Sequence, residues 1–121
     1  MRRAAAAAAL LLGTACGGGA EPKAATVSVQ GLAFGPGDLT VAAGTTVTWR
    51  NDEPIGHTVT SGTATGIDAG TGLRSGERPD GAYDAPLTTK GATFTRTFDA
   101  PGTYPYYCAI HKGMNARVVV T

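Results

Sequence analysis

Cys108, His111 and Met114 are metal-binding residue types that follow one another at three-residue intervals near the end of the chain. The only other histidine, His57, lies far upstream. A thiolate, two imidazoles and a thioether form the donor set of single-copper electron-transfer sites, because soft sulfur favours Cu(I) while imidazole also suits Cu(II). These residue types therefore predict a mononuclear copper site that exchanges single electrons.

Each of these residues alone has an ordinary structural explanation. A cysteine is often a small buried apolar residue, a methionine often fills a gap in a core, and a surface histidine often has no role. Together they are harder to explain as core residues. A three-residue spacing forms an apolar stripe only on a helix, and no helix is predicted here. We predict Cys108, His57 and His111 as the trigonal ligands and Met114 as the weak axial ligand.

The elements that must position these ligands are short β-strands. From Thr26 onward, alternating apolar and polar residues are separated by Gly and Pro turns, and no long run has a helical period. Seven or eight short strands in roughly 98 residues are typical of an all-β, two-sheet β-sandwich. The clearest predicted strands are 26–29, 39–41, 46–49, 58–60, 93–98, 103–107 and 117–120.

The predicted strands place the ligands at one end of the sandwich. Cys108 follows the strand 103–107 on the inward side that it shares with Tyr104 and Tyr106. His57 follows a turn-rich segment, 51–56, that leaves the strand of Trp49 and can reach the same end.

The alternation also predicts a core large enough to fold the domain without metal. Residues 61–92 show no clear pattern, and we expect a long mobile loop with at most one short strand or helical turn. The predicted core consists of Val27, Val29, Leu32, Phe34, Leu39, Val41, Val47, Trp49, Val59, Phe94, Phe98, Tyr104, Tyr106, Val118 and Val120.

The N-terminus is typical of an export signal. A basic start precedes an apolar stretch, 4–12, that is too short to span a bilayer as a helix, and small residues follow up to Cys16. The leucines before Cys16 resemble the lipobox of bacterial lipoproteins. We predict a signal peptide at 1–15 cleaved before a lipidated Cys16, a flexible tether at 16–24, and the folded domain at 25–121.

An ordinary cleaved signal with a spare cysteine is the alternative to lipidation at Cys16. Either interpretation exports the protein, to the periplasm or the outer face of the cytoplasmic membrane.

Ten Lys and Arg against nine Asp and Glu give a formal net charge of +1, with both signs spread thinly along the chain. No basic patch indicates a nucleic-acid partner, and we expect a monomer.

Several motifs resemble the cupredoxins of the plastocyanin, amicyanin and halocyanin group. The Cys-x-x-His-x-x-Met spacing is similar to the short loop of amicyanin-like members. The resemblance implies a Greek-key sandwich holding one type 1 copper on His57, Cys108, His111 and Met114. Many members carry Asn after the first histidine ligand, where this chain has Thr58. The matching segments are 34–36, 39–51, 57–59 and 98–108.

The resemblance also implies a function, outer-sphere electron exchange with transient redox partners such as a cytochrome, a dehydrogenase or an oxidase. The partner would dock on an apolar patch around His111. By resemblance to plastocyanin, Tyr107 is a second electron route, although a solvent-facing strand tyrosine without a role is the favoured interpretation. The predicted patch consists of Pro54, Ile55, Ala109, Ile110 and Gly113.

Two other functions compete with a type 1 copper electron shuttle. A periplasmic copper carrier or storage protein is the alternative, but such proteins usually offer histidine- or methionine-rich surfaces, and this chain has two residues of each type. A redox enzyme is disfavoured, because His57 and His111 are both used by the first copper and no histidine remains for a catalytic centre.

Overall fold

The computed structural model describes residues 23–121, which form nine β-strands and no helix. No helix with the length and apolarity for a membrane crossing was found in this part of the chain. The predicted signal peptide, the lipidation site Cys16 and most of the tether lie outside the described residues. The strands are β1 (Ala24–Val29), β2 (Phe34–Gly35), β3 (Asp38–Val41), β4 (Thr45–Asn51), β5 (His57–Thr65), β6 (Gly76–Leu87), β7 (Thr93–Phe98), β8 (Gly102–Tyr107) and β9 (Asn115–Val120).

The strands form two sheets, which confirms the predicted all-β sandwich. One sheet has the order β2-β1-β4-β7, and the other has the order β3-β9-β8-β5-β6. The pairs β1–β4 and β3–β9 are parallel, whereas the remaining pairs are antiparallel. The strand count exceeds the expected seven or eight, because the two-residue β2 and the long β6 had no clear signal in the sequence.

The core lies between the sheets and is centred on Trp49, which is fully buried. Its ring lies 5.3 Å from the ring of Tyr106 and 5.6 Å from that of Phe94, measured between centroids. Alternate residues of β4 are buried, as the period of two requires. This aromatic cluster connects the sheet of β4 to β8, the strand that leads to Cys108.

Leu32 is the predicted core residue that the structure corrects. It is 48% exposed, because it lies in the turn between β1 and β2 with a positive φ of 55°. The turn is closed by a hydrogen bond from the Gln30 N–H to the Ala33 carbonyl. Leu39, Phe94 and Tyr104 are partly buried against the core.

The prediction of a long mobile loop at 61–92 is wrong. β5 continues to Thr65, and the twelve-residue β6 pairs with it as an antiparallel hairpin. The pairing shifts register between Thr60 and Gly62, where a Cβ at Gly62 would lie 2.2 Å from the carbonyl oxygen of Arg78. A glycine is therefore required at this irregular point of the hairpin.

The sequence does not reveal β6 because it is the edge strand of its sheet. Only Tyr83 and Leu87 of this strand are buried, so it lacks the apolar alternation that marks a strand packed on a core. Pro79 and Pro86 are tolerated there, since an edge strand has one side whose N–H groups need no ladder partner. β6 is therefore held mainly by backbone pairing with β5, and Tyr83 and Leu87 are its buried contacts with the core.

The topology brings the first residue of β5 and the end of β8 together. These strands are antiparallel neighbours, with Thr60 opposite Tyr107 and Ser61 opposite Tyr106. His57 at the start of β5 and Cys108 just beyond β8 therefore lie at the same end of the sheet, as predicted.

Candidate metal centre

Three of the predicted ligands converge at this end of the sheet. The Cys108 sulfur lies 3.9 Å from His57 Nδ1 and 3.6 Å from His111 Nδ1. One ligand atom from each of the three residues lies within 4.8 Å of the others. His57 and Cys108 are buried, whereas His111 is partly exposed.

These distances and donor types fit a single copper ion. Metal–nitrogen bonds of about 2.0 Å and metal–sulfur bonds of about 2.3 Å place the donors of a trigonal plane roughly 3.7 Å apart. The two sulfur–nitrogen distances, 3.9 Å and 3.6 Å, bracket that value. Two imidazoles with one thiol are the equatorial donor set that copper electron-transfer sites use.

Met114 belongs to the same tight loop and is 1% exposed. The Cys108 N–H donates to the Met114 carbonyl at 3.0 Å, and the Met114 N–H donates to the His111 carbonyl at 3.1 Å. These two backbone bonds close residues 108–114 into a compact turn. We name these residues the ligand loop.

Thr58 connects β5 to the ligand loop in two ways. Its N–H donates to the Cys108 sulfur at 3.4 Å, and its hydroxyl oxygen accepts the Ala109 N–H at 2.8 Å. The hydroxyl then bonds to Thr60, which donates to the Asp84 carboxylate at 2.8 Å. Thr58 therefore braces the ligand loop through both its N–H and its hydroxyl.

Glu53 orients the ring of His57. One carboxylate oxygen lies 2.6 Å from His57 Nε2, the ring nitrogen that points away from Cys108. When Nε2 carries the proton and donates it to Glu53, Nδ1 presents its lone pair toward the sulfur. Burial raises the pKa of Glu53, but hydrogen bonds from Leu32, His57 and Gly31 outweigh it and leave the pKa lowered.

Asn51 organises the segment between β4 and β5. Its side-chain amide donates to the carbonyls of Ile55 and Leu87 at 2.9 Å and 3.0 Å, and its Oδ1 accepts the Glu53 N–H at 3.0 Å. Asn51 is fully buried. It therefore fixes the turn that carries both Glu53 and His57.

The structure corrects the expected surroundings of Tyr107. We predicted a solvent-facing strand tyrosine, but Tyr107 is 2% exposed. The Arg74 guanidinium covers its ring, with Cζ 4.7 Å from the ring centroid. Arg74 comes from the connection between β5 and β6, a segment in which no structure was expected.

The end of the sandwich around His111 is apolar and exposed. Ile55 and Ile110 are 45% and 58% exposed, and Pro54, Ala109 and Gly113 are also exposed. Leu73, which is half exposed, extends this patch, since a Cβ on Gly113 would lie 3.3 Å from Leu73 Cδ2. The predicted patch is therefore exposed, and the β5–β6 connection enlarges it.

Sequence reasoning missed three polar residues that support the site. Glu53 had a usable signal, an acidic residue four positions before a ligand histidine, and Asn51 is the first residue of the predicted turn-rich segment that leads to the same histidine. Arg74 had none, because no local pattern indicates that a side chain in the β5–β6 connection would reach the ligand loop.

A sequence profile of copper-binding proteins of the plastocyanin/azurin family matches residues 22–121. Amicyanin-alpha of Methylorubrum extorquens is 30% identical over 94 residues, which cover 78% of this chain and 69% of that protein. The chloroplastic plastocyanin of Physcomitrium patens is 35% identical over 106 residues, covering 84% of this chain and 60% of that protein.

Solved structures give the same result. A purple cupredoxin from Nitrosopumilus maritimus superposes with a TM-score of 0.62 at 26% identity, covering 80% of this chain and 99% of that one. A reduced, Cu(I) form of an amicyanin variant superposes with a TM-score of 0.61 at 31% identity, covering 84% and 85%.

Proposed function

Because the chain belongs to the plastocyanin/azurin family of copper-binding proteins, we propose that it is a type 1 copper protein that shuttles single electrons between redox partners outside the cytoplasm. Its cofactor is one copper ion, which supplies a Cu(I)/Cu(II) couple when bound. One observation carries the proposal: His57, Cys108 and Met114 are at most 1% exposed, whereas His111 is partly exposed.

We propose the ligand atoms from the convergence of His57, Cys108 and His111 and from the place of Met114 in the ligand loop. His57 and His111 would hold the copper through Nδ1 and Cys108 through Sγ, and Met114 would add a weaker thioether donor from the ligand loop. Glu53 holds the His57 ring, while Thr58 and Asn51 hold the backbone segments that carry the ligands, through hydrogen bonds that do not depend on the metal. A frame fixed in this way limits the rearrangement that accompanies each change of oxidation state.

Electron transfer suits this burial better than copper delivery does. A carrier must let a chelating partner reach its ion, but three of the four proposed ligands are closed off from solvent. An electron needs only the exposed edge of His111 to leave or enter. A catalytic role is not proposed, because the chain has two histidines and both are assigned to this copper.

The apolar patch around His111 is the proposed docking surface for a cytochrome, a dehydrogenase or an oxidase. Small apolar contacts desolvate easily and give weak, short-lived complexes, which is what rapid electron exchange requires. We also propose that the protein acts as a monomer, with no nucleic-acid partner. Size-exclusion chromatography with light scattering should give the mass of a single chain.

The experiment that tests this function measures electron exchange and copper retention together. The copper-loaded protein is mixed with a reduced c-type cytochrome in a stopped-flow spectrometer and then desalted for copper analysis. We expect rapid oxidation of the cytochrome and unchanged copper content. Slow oxidation, or rapid loss of copper to a Cu(I) chelator, would favour the carrier alternative.

A matched pair of variants tests the docking surface. Ile110→Asn removes an apolar side chain from the patch, while Ile67→Asn removes one of similar exposure, 51% against 58%, that lies outside it. We expect the bimolecular rate constant to fall several-fold in Ile110→Asn alone. Equal rate constants in the two variants would argue against docking at this patch.

We propose the export route and membrane anchor from the N-terminal sequence. Residues 1–15 are the signal peptide, Cys16 carries the lipid, and residues 16–24 tether the domain to the outer face of the cytoplasmic membrane. Cys16→Ala should release the protein from sedimented membranes. If the variant still sediments with them, the lipid anchor is wrong.

A further inference from the structure

Arg74 is a charged residue that the structure buries completely. Its side chain has no exposed area, and the whole residue is 2% exposed. Removing a guanidinium from water costs several kcal/mol unless its N–H groups are paired. The groups that pair with Arg74 therefore indicate the role of this buried charge.

Most of these partners lie on the ligand loop. Nη2 donates to the Cys108 carbonyl at 2.5 Å, and Nη1 lies 3.1 Å from the His111 carbonyl and 3.4 Å from the Met114 carbonyl. The backbone N–H of Arg74 donates to the Lys112 carbonyl at 3.0 Å. One residue from outside the ligand loop thus contacts the carbonyls of all three ligands that the loop supplies.

The remaining contacts hold the guanidinium itself. Nε donates to Glu77 at 2.9 Å, and Nη1 also donates to Asn115 Oδ1 at 2.9 Å. The ring of Tyr107 lies against the guanidinium, with Cζ 4.7 Å from its centroid. The position of this planar group is therefore set by β6, β8 and β9 as well as by the ligand loop.

We propose that Arg74 is a positioning residue that fixes the ligand loop in its metal-binding conformation through the backbone carbonyls of Cys108, His111 and Met114. The guanidinium is a rigid fork with five N–H donors, so it holds several acceptors at set distances from one another. A lysine keeps the charge, but its ammonium is a single point with no such geometry. The proposal rests on the ligand assignment made above.

The test compares Arg74→Met and Arg74→Lys with the control Arg96→Met. Arg96 stacks on Tyr83 with Cζ 4.8 Å from the ring centroid, a similar ring contact at a partly exposed position in a different part of the domain. Hydrogen–deuterium exchange is measured on the full mature chain, with copper and without it. The alkylation rate of Cys108 in the metal-free form is followed by site-resolved mass spectrometry, so Cys16 does not contribute.

We expect exchange in the ligand loop and alkylation of Cys108 to rise at least about tenfold in both Arg74 variants, the effect of losing one charge-assisted hydrogen bond or more. Exchange in β4 should rise less than exchange in the ligand loop, and Arg96→Met should leave the ligand loop unchanged. Arg74→Lys provides the comparison if Arg74→Met does not fold.

Three results would overturn the proposal. Unchanged exchange in the ligand loop would show that Arg74 does not hold it. Equal increases in the ligand loop and in β4 would show a general loss of stability. Parent-like protection in Arg74→Lys would show that positive charge alone suffices. Because the metal-free readout does not involve copper, the proposal can fail while the ligand assignment stands.

Discussion

Asn51→Ala should destabilise the domain by removing three hydrogen bonds at once. The bond to the Leu87 carbonyl is buried, so losing it leaves an acceptor without a partner at a cost of about 1–3 kcal/mol. The bonds to the Ile55 carbonyl and from the Glu53 N–H are part-buried and contribute about 0.5–1.5 kcal/mol each. We expect the free energy of unfolding to fall by about 2–6 kcal/mol.

Urea denaturation of the metal-free protein measures this loss, with an unchanged m-value as the sign that the unfolded states are alike. Asn51→Asp is a useful second variant. It keeps an oxygen that accepts the Glu53 N–H, but it places a carboxylate against the carbonyls of Ile55 and Leu87. It should be at least as destabilising as Asn51→Ala. A loss below about 1 kcal/mol in Asn51→Ala, or a parent-like Asn51→Asp, would refute the reasoning.

Three further predictions concern the axial ligand, the brace and alkaline pH. Met114→Leu should raise the reduction potential with copper still bound, because a site with one donor fewer disfavours Cu(II), which prefers the higher coordination number, more than Cu(I); voltammetry showing a lowered potential would contradict its axial role. Thr58→Val should lower the free energy of unfolding by about 1 kcal/mol, since the acceptor for the Ala109 N–H is lost. Thr58→Ser should keep most of that stability, so equal losses of unfolding free energy in the two variants would show that the hydroxyl does not stabilise the ligand loop. Burial raises the pKa of Tyr83 to about 12 from 10.0, so its phenol stays protonated in the folded state where the unfolded chain ionises. The stability that this neutral phenol contributes is fully present below pH 10 and is lost as the pH rises towards 12. Urea denaturation should show a decline in the free energy of unfolding over this pH range, and the decline should be smaller in Tyr83→Phe.

The sequence predicts the site well where donors are local or follow strand periodicity. Cys108, His111 and Met114 are adjacent in the chain, so their spacing alone indicates a shared loop. His57 could be added because the turn-rich segment 51–56 leaves the strand of Trp49 and can return the chain to the same end of the sandwich. Trp49 and the other alternating residues predict the core for the same reason.

What the sequence does not reveal depends on contacts that leave no periodic signal. β6 is an edge strand held by backbone pairing, so its side chains are free to be polar. Arg74 reaches the ligand loop only because the β5–β6 hairpin folds against that loop. The Arg74 guanidinium then covers the ring of Tyr107 and buries it. Leu32 is apolar in type, but a tight turn with positive φ decides its exposure.

The visible absorption spectrum of the copper-loaded protein, compared with that of Cys108→Ser, tests the proposed copper site most directly. We predict one copper per chain and an intense blue band from thiolate-to-copper charge transfer, with the band absent in Cys108→Ser. A spectrum that is the same in both proteins would show that Cys108 does not bind the ion, and would contradict the account.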